Sequence, residues 1–217
     1  MTGQIWLRAL AMTGVLSLPQ LAIAEPIAFK LLPNYSRATF KADAPLETIV
    51  GNTAGDGVTG TMTVDPAKPQ EAQGTIKVDL ATLSSGVGKR DEDMRGERYL
   101  DTANPANRYA VFEIKSVEVA GPLEPGKEMP AKVMGVLTMK TRPVRLTANA
   151  RATYVKLTTD QLEKDNQERF GFTTDNIKVR ARFATTLSNH GIPVPHLLIL
   201  KLSNDLQLET DLTFVRQ

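Results

Sequence analysis

Two runs of alternating apolar and polar residues flank a stretch too densely charged to be core, and this arrangement limits the possible folds more than any other feature. Over residues 74–80, Ile76, Val78 and Leu80 fall on one face of a strand, and over residues 109–119 the two-residue period resumes. Between them, residues 89–99 alternate acids and bases, with Asp91 four positions before Arg95. That spacing predicts a solvated helical turn or two, held partly by such pairs.

The same period recurs along most of the chain. Residues 35–42, 57–64, 129–140, 142–157, 177–188 and 201–215 read as further strands, and the turn of a long hairpin is expected near Thr141. About eight strands, each with one apolar face, require either a second sheet or closure of the sheet on itself. Closure removes exposed edges, and a barrel of about eight strands has room inside for side chains or one small ligand. Periodicity alone does not separate a barrel from a sandwich. Residues 159–169 break the pattern and predict a short surface helix or ordered loop, with Asp160 as cap, Glu163 three residues on, and Gly171 as stop.

The first 24 residues predict an export signal. Arg8 is their only basic side chain, no acid is present, an apolar stretch covers residues 9–18, and Ala22-Ile23-Ala24 is a small-residue cleavage site placing the mature start at Glu25. The apolar run is short for a bilayer span, which takes about 20 residues, so no stable membrane insertion is expected after cleavage. Residues 25–217 suit a single domain. The absence of cysteine excludes a disulfide framework and a thiol nucleophile. Net charge is +2 with Lys and Arg scattered, so capture of nucleic acid is not expected.

Motifs for catalysis are missing. Gly86-Val87-Gly88-Lys89 lacks phosphate-loop spacing, since Arg90 stands where a hydroxyl is needed. There is no Gly-x-Ser-x-Gly elbow. His190 and His196, the only histidines, flank a Pro/Gly loop without a nearby carboxylate; they predict loop histidines rather than metal ligands. No metal, no cofactor and no enzyme activity are expected. Glu113 and Lys115 lie on the face opposite Phe112 and Ile114, and are expected outside the barrel.

Three segments together resemble the YceI-like family of periplasmic lipid-binding proteins with a lipocalin-like barrel. The first holds Arg90-Asp91, then Tyr99-Leu100-Asp101, then Phe112. The second holds Gly135-Val136-Leu137-Thr138 and Arg142-Pro143-Val144, and the third is Gly191-Ile192. The resemblance favours the closed antiparallel barrel, all-β with one or two short helices in crossover loops. It implies a periplasmic carrier, monomer or homodimer, holding a long apolar small molecule such as a polyisoprenoid or isoprenoid quinone. A ligand-free interaction or stress-response barrel is the alternative, with an enzyme acting on lipids or quinones behind it.

On the register above, Phe40, Ile76, Val78, Leu80, Phe112, Ile114, Leu137, Met139, Val144, Leu146, Phe183 and Leu208 are expected to line the interior. Aromatics are only 6% of the chain and small residues (Ala38, Ala42, Gly135, Ala148, Ala181) recur on candidate inward faces, which leans toward open space inside. Arg90 and Asp91 are expected at the barrel mouth, chiefly tying the crossover to the rim. They are adjacent on a helical turn and so serve different partners.

Overall fold

The computed structural model describes residues 25–217 apart from Leu198 and Ile199; the expected export signal lies outside the described residues. Eight antiparallel strands follow one another around a ring. Strand β1 runs in two halves, Ile27–Leu31 and Arg37–Ala44, and β2 likewise, Glu47–Thr53 and Val58–Val64. Strand β3 is Gln73–Asp79 with a short extension at Leu83–Ser84. Then come β4 (Tyr109–Val119), β5 (Glu128–Met139), β6 (Arg142–Lys156), β7 (Asp175–Thr186) and β8 (Asp205–Arg216). Each strand pairs with the next. β8 returns to both halves of β1, with Phe40 opposite Leu208 and Phe29 opposite Arg216, which closes the ring. This is the closed barrel expected from the sequence.

The eight expected runs correspond one to one with the eight strands, but the first halves of β1 and β2 were not anticipated. Ile27–Leu31 is short and confined between Pro26 and Pro33. Glu47–Thr53 puts exposed Val50 beside Ile49 and contains Gly51, which blurs its alternation.

Kinks shift which residues face inward. In β1, a single 3-10 turn at Pro33–Tyr35 separates inward Phe29 and Leu31 from inward Ala38, Phe40 and Ala42. Ser36 mends the interrupted ladder there: its Oγ donates to the Leu32 carbonyl (2.8 Å) and accepts the Thr213 N–H (3.0 Å). In β4, a bulge between Ile114 and Ser116 does the same, so Phe112 and Ile114 face inward before it and Val117 and Val119 after it. The unbroken period read along β4 is therefore corrected to two half-runs out of phase.

The connections β1–β2, β3–β4, β5–β6 and β7–β8 gather at one end, called the mouth below; the other end is the floor. The β5–β6 hairpin turns at Lys140 and Thr141, both at positive φ (46° and 61°), where the turn was expected. The β3–β4 crossover carries helix α1 (Gly88–Arg95). At the floor, the β6–β7 connection carries α2 (Thr159–Lys164), followed by a 3-10 turn over Gln167–Phe170 that ends at Gly171 (φ +87°). Its cap is Thr158 rather than Asp160. The Thr158 hydroxyl accepts the Gln161 N–H (3.2 Å) while the Gln161 side chain accepts the Thr158 N–H (2.9 Å), a reciprocal pair that Asp160 and Glu163 do not make.

A lipid-sized cavity inside the barrel

The barrel encloses a cavity of about 640 Å³, open toward the mouth. Its wall is apolar along nearly its whole length, and alanines recur on it: Ala38, Ala42, Ala110, Ala131, Ala148, Ala150, Ala152 and Ala181. Small side chains at inward positions leave volume that leucines would fill. Two glycines add to it. A Cβ at Gly51 would lie 2.3 Å from the Phe40 ring, and one at Gly135 would lie 2.3 Å from the Phe112 ring. Both phenyl rings thus lean on bare backbone, where a side chain would push them further inward. Phe112 also stacks with Phe183 of β7 across the interior, ring centres 6.1 Å apart.

Ten of the twelve residues expected inside line this cavity: Phe40, Ile76, Val78, Leu80, Phe112, Ile114, Leu137, Met139, Phe183 and Leu208. Val144 and Leu146 do not. The segment Ser188–His190 packs over the start of β6, and Leu187 and Ile192 line the cavity there instead; Leu146 joins the apolar cluster beneath them. Sequence reasoning missed Val117 and Val119 beyond the bulge and Ile49 in the unanticipated half of β2, and also Met62 and Phe214, which lie in runs it did identify.

The mouth is covered by the β3–β4 crossover and the β7–β8 connection. Met94, Tyr99 and Leu100 from the first, and Leu187, Ile192 and Leu202 from the second, complete the apolar lining. Asp91 anchors the crossover. It is buried, and its carboxylate accepts hydrogen bonds from Ser84 Oγ (2.7 Å), Ser85 N–H (2.7 Å) and Ser85 Oγ (2.6 Å). Those hydroxyl bonds, Ser85 first, outweigh burial and hold its pKa down at about 2. Arg95 does not pair with Asp91 as an exposed neighbour; it donates to the Ala81 and Leu83 carbonyls (3.3 Å each). The ion pairs on α1 run instead from Lys89 to Asp93 (2.9 Å) and Glu92 (3.4 Å). The expected Asp91–Arg95 spacing thus reflects two tethers to β3, not one surface pair.

Arg90 differs from its neighbour. It lines the cavity mouth, donates through Nε to Ser85 Oγ (2.8 Å), and pairs with Glu47 at the tip of the β1–β2 hairpin. In the Tyr99-Leu100-Asp101 step, the first two residues cover the cavity. Asp101, at positive φ (54°), accepts from Asn107 Nδ2 (2.8 Å) and turns the chain.

The second cover is fixed by His190, which is fully buried. Its Nδ1 meets the Arg142 carbonyl (3.2 Å), so that nitrogen carries the hydrogen and Nε2 accepts from Thr185 Oγ1 (2.9 Å). Burial lowers its pKa, keeping the ring neutral. Gly191, at φ +66°, lets the chain turn so that Ile192 enters the cavity wall. No cluster of three metal-ligating side chains occurs among the described residues, and Glu113 and Lys115 pair on the outer face (2.7 Å).

At the floor, Phe29, Leu31, Ile177 and Phe214 pack to near-zero exposure. Tyr154 donates to buried Asp175, which also accepts from Thr174 Oγ1 (2.9 Å) and Arg216 (3.1 Å). Burial would raise Asp175, but these bonds outweigh it and its carboxyl lies below the usual range; burial and the same carboxylate push the Tyr154 phenol up.

A family model for the YceI-like domain matches residues 29–214. The chain belongs to the YceI-like family. Among solved structures, this YceI-like barrel is similar to a polyisoprenoid binding domain from Saccharophagus degradans (TM-score 0.60, 13% identity, covering 88% of this chain and 99% of that one). It is similar to Burkholderia cenocepacia BcnA (TM-score 0.58, 13% identity, 82% and 95%). It is also similar to the Campylobacter jejuni YCEI protein (TM-score 0.57, 14% identity, 77% and 84%). At such identities the likeness concerns the fold. Curated protein sequences give no significant match. No helix among the described residues is long and apolar enough to cross a membrane.

Proposed function

We propose that this protein is a carrier that holds one long apolar lipid, a polyisoprenoid or the tail of an isoprenoid quinone, inside the barrel in an exported, periplasmic-type compartment. The observation that carries this reading is the hollow itself: about 640 Å³ kept open by alanines and by phenyl rings lying on glycine, where a barrel built for stability alone would be filled. Such a wall binds by burial. Each methylene removed from water contributes about 0.8 kcal/mol, so a long prenyl chain needs no polar motif, and selectivity follows from the length and width of the lumen. Membership of the YceI-like family and the likeness to a barrel described as polyisoprenoid binding support the choice of cargo. The signal-like residues 1–24 support the compartment.

The apolar lining and the pairing of Glu113 with Lys115 outside argue for binding rather than catalysis. Native mass spectrometry of protein purified without detergent from its own host tests the reading. The expected result is a mass increment of several hundred daltons that organic solvent removes. A barrel that emerges empty, and stays empty when offered prenyl lipids, favours the ligand-free interaction module.

A further inference from the structure

We infer that Glu47 makes the mouth of this barrel select cargo with an uncharged polar end, such as a prenol or a quinone, over cargo ending in phosphate or pyrophosphate. The inference rests on the carrier reading above and names the headgroup class for the same cavity.

Four charged residues border the cavity: Glu47, Arg90, Asp93 and Glu209. Glu209 belongs to the outer wall, where it pairs with Arg182 (3.2 Å). The mouth therefore presents two carboxylates against one guanidinium. That guanidinium is partly committed and its charge is offset, with Nε on Ser85 Oγ and one outer nitrogen on Glu47. Lys89, the next cation along, is spent on Asp93 and Glu92 on the exposed side of α1. Lys140 sends its ammonium to the Tyr99 carbonyl (2.7 Å), and it does not line the cavity.

A phosphate that accepted from the remaining Arg90 N–H groups would place its charge beside the Glu47 carboxylate, like against like. A hydroxyl or a quinone carbonyl has no such conflict. Either can accept from a remaining Arg90 N–H with the pair intact, and the hydroxyl can also donate to Glu47. Glu47 is held there by the β1–β2 hairpin, and its side chain is about half exposed (55%), so it tolerates substitution without disturbing the core.

The test compares geranylgeraniol with geranylgeranyl pyrophosphate, which share one tail, by displacement of a bound naphthylamine fluorophore. The readout is the ratio of the two affinities in wild type, Glu47→Gln and Glu47→Lys. Comparing the ratio between variants cancels the different behaviour of the free lipids in water. The expected result is a shift toward the pyrophosphate of roughly tenfold in Glu47→Gln and more in Glu47→Lys, shrinking with added salt. Asp93→Asn shifts the ratio the same way by less, since Lys89 already offsets that charge. A ratio that stays constant across the variants, while both lipids bind, overturns the inference and leaves the carrier reading standing. Failure of every variant to bind the fluorophore and both lipids overturns the two together.

Discussion

The two ends of the barrel are built on opposite plans. The floor is packed: Phe29, Ile177 and Phe214 are almost wholly buried, and a buried carboxylate there, Asp175, is bonded to Tyr154, Thr174 and Arg216. The mouth is covered by two connections that each hang on a polar anchor. Asp91 fastens one to Ser84 and Ser85, and His190 fastens the other to Thr185 and Arg142. Packed apolar contact opens only with much of the core, whereas a segment held by a few hydrogen bonds opens locally at lower cost. The contrast teaches that stability and access are assigned to different ends of one sheet.

The largest test of that division is Phe214→Ala. Truncating this buried ring at the floor is expected to cost about 4 kcal/mol in urea unfolding. Phe183→Ala is expected to cost less than half as much, because this ring is only partly buried and borders the lumen beside its stacking contact with Phe112. Equal costs for the two would mean that the lumen is not open. Next comes Gly135→Ala. The added methyl meets the Phe112 ring at 2.3 Å and the Glu113 carbonyl at 2.5 Å, so the ring must move into the lumen. The expected penalty is about 2 kcal/mol, together with a smaller lipid load per folded molecule. A load unchanged from wild type would show that Phe112 does not set the bore.

Asp91→Ala probes the anchored end. Loss of a carboxylate that accepts three hydrogen bonds is expected to lower stability by about 2 kcal/mol while cargo per folded molecule stays the same. An unchanged melting temperature with an emptied cavity would reassign Asp91 from tether to ligand contact. The wild-type pH profile checks the same bond network. The folded pKa of Asp91 is about 2 and that of Asp175 is also depressed, below an unfolded value near 4. Both therefore contribute stability that is intact above about pH 4 and lost as pH falls toward 2. Asp91→Ala should flatten part of that acid limb.

How much of this was legible in the sequence depends on where the strand period holds. In β5, β7 and β8 the inward set keeps one parity throughout, and Leu137, Met139, Phe183 and Leu208 were found from alternation alone. In β1, β2 and β4 the set changes parity, at Pro33–Tyr35, at residues 54–57 and at the bulge beside Lys115, so Val117 and Val119, and Ile49 in the first half of β2, were out of reach of a constant register. Pro33 and the Gly55–Gly57 pair were the available signals for two of these breaks. The bulge has none, since Lys115 fits a strand as well as its neighbours do. Val144 and Leu146 failed for another reason: their face is inward, but a connection from 46 residues further along the chain covers it. The Asp91 cluster was half legible. Its place in the crossover was expected, but its partners are short serines whose role depends on β3 ending where it does.

The smallest expected effect belongs to the second anchor. In the folded barrel His190 is neutral, since burial lowers its pKa below the ordinary value of 6.5. In the unfolded chain the ring takes up a proton as pH drops through about 6.5. The contribution of His190 to stability is thus complete above that pH and declines below it. The carboxylates with depressed pKa do not titrate between pH 7 and 5, so the slope in this window isolates the histidine. Wild type is expected to lose stability in urea unfolding between pH 7 and 5, and His190→Gln is expected to lose much less while starting about 1 kcal/mol lower at pH 7. Because the anchor holds a cover and not the floor, the same acid step should quicken amide exchange at Leu187 and Ile192 and leave Ile177 and Phe214 protected. Exchange that quickens equally at both ends would mean the barrel opens as one unit, and the division between a packed floor and a tethered mouth would not hold.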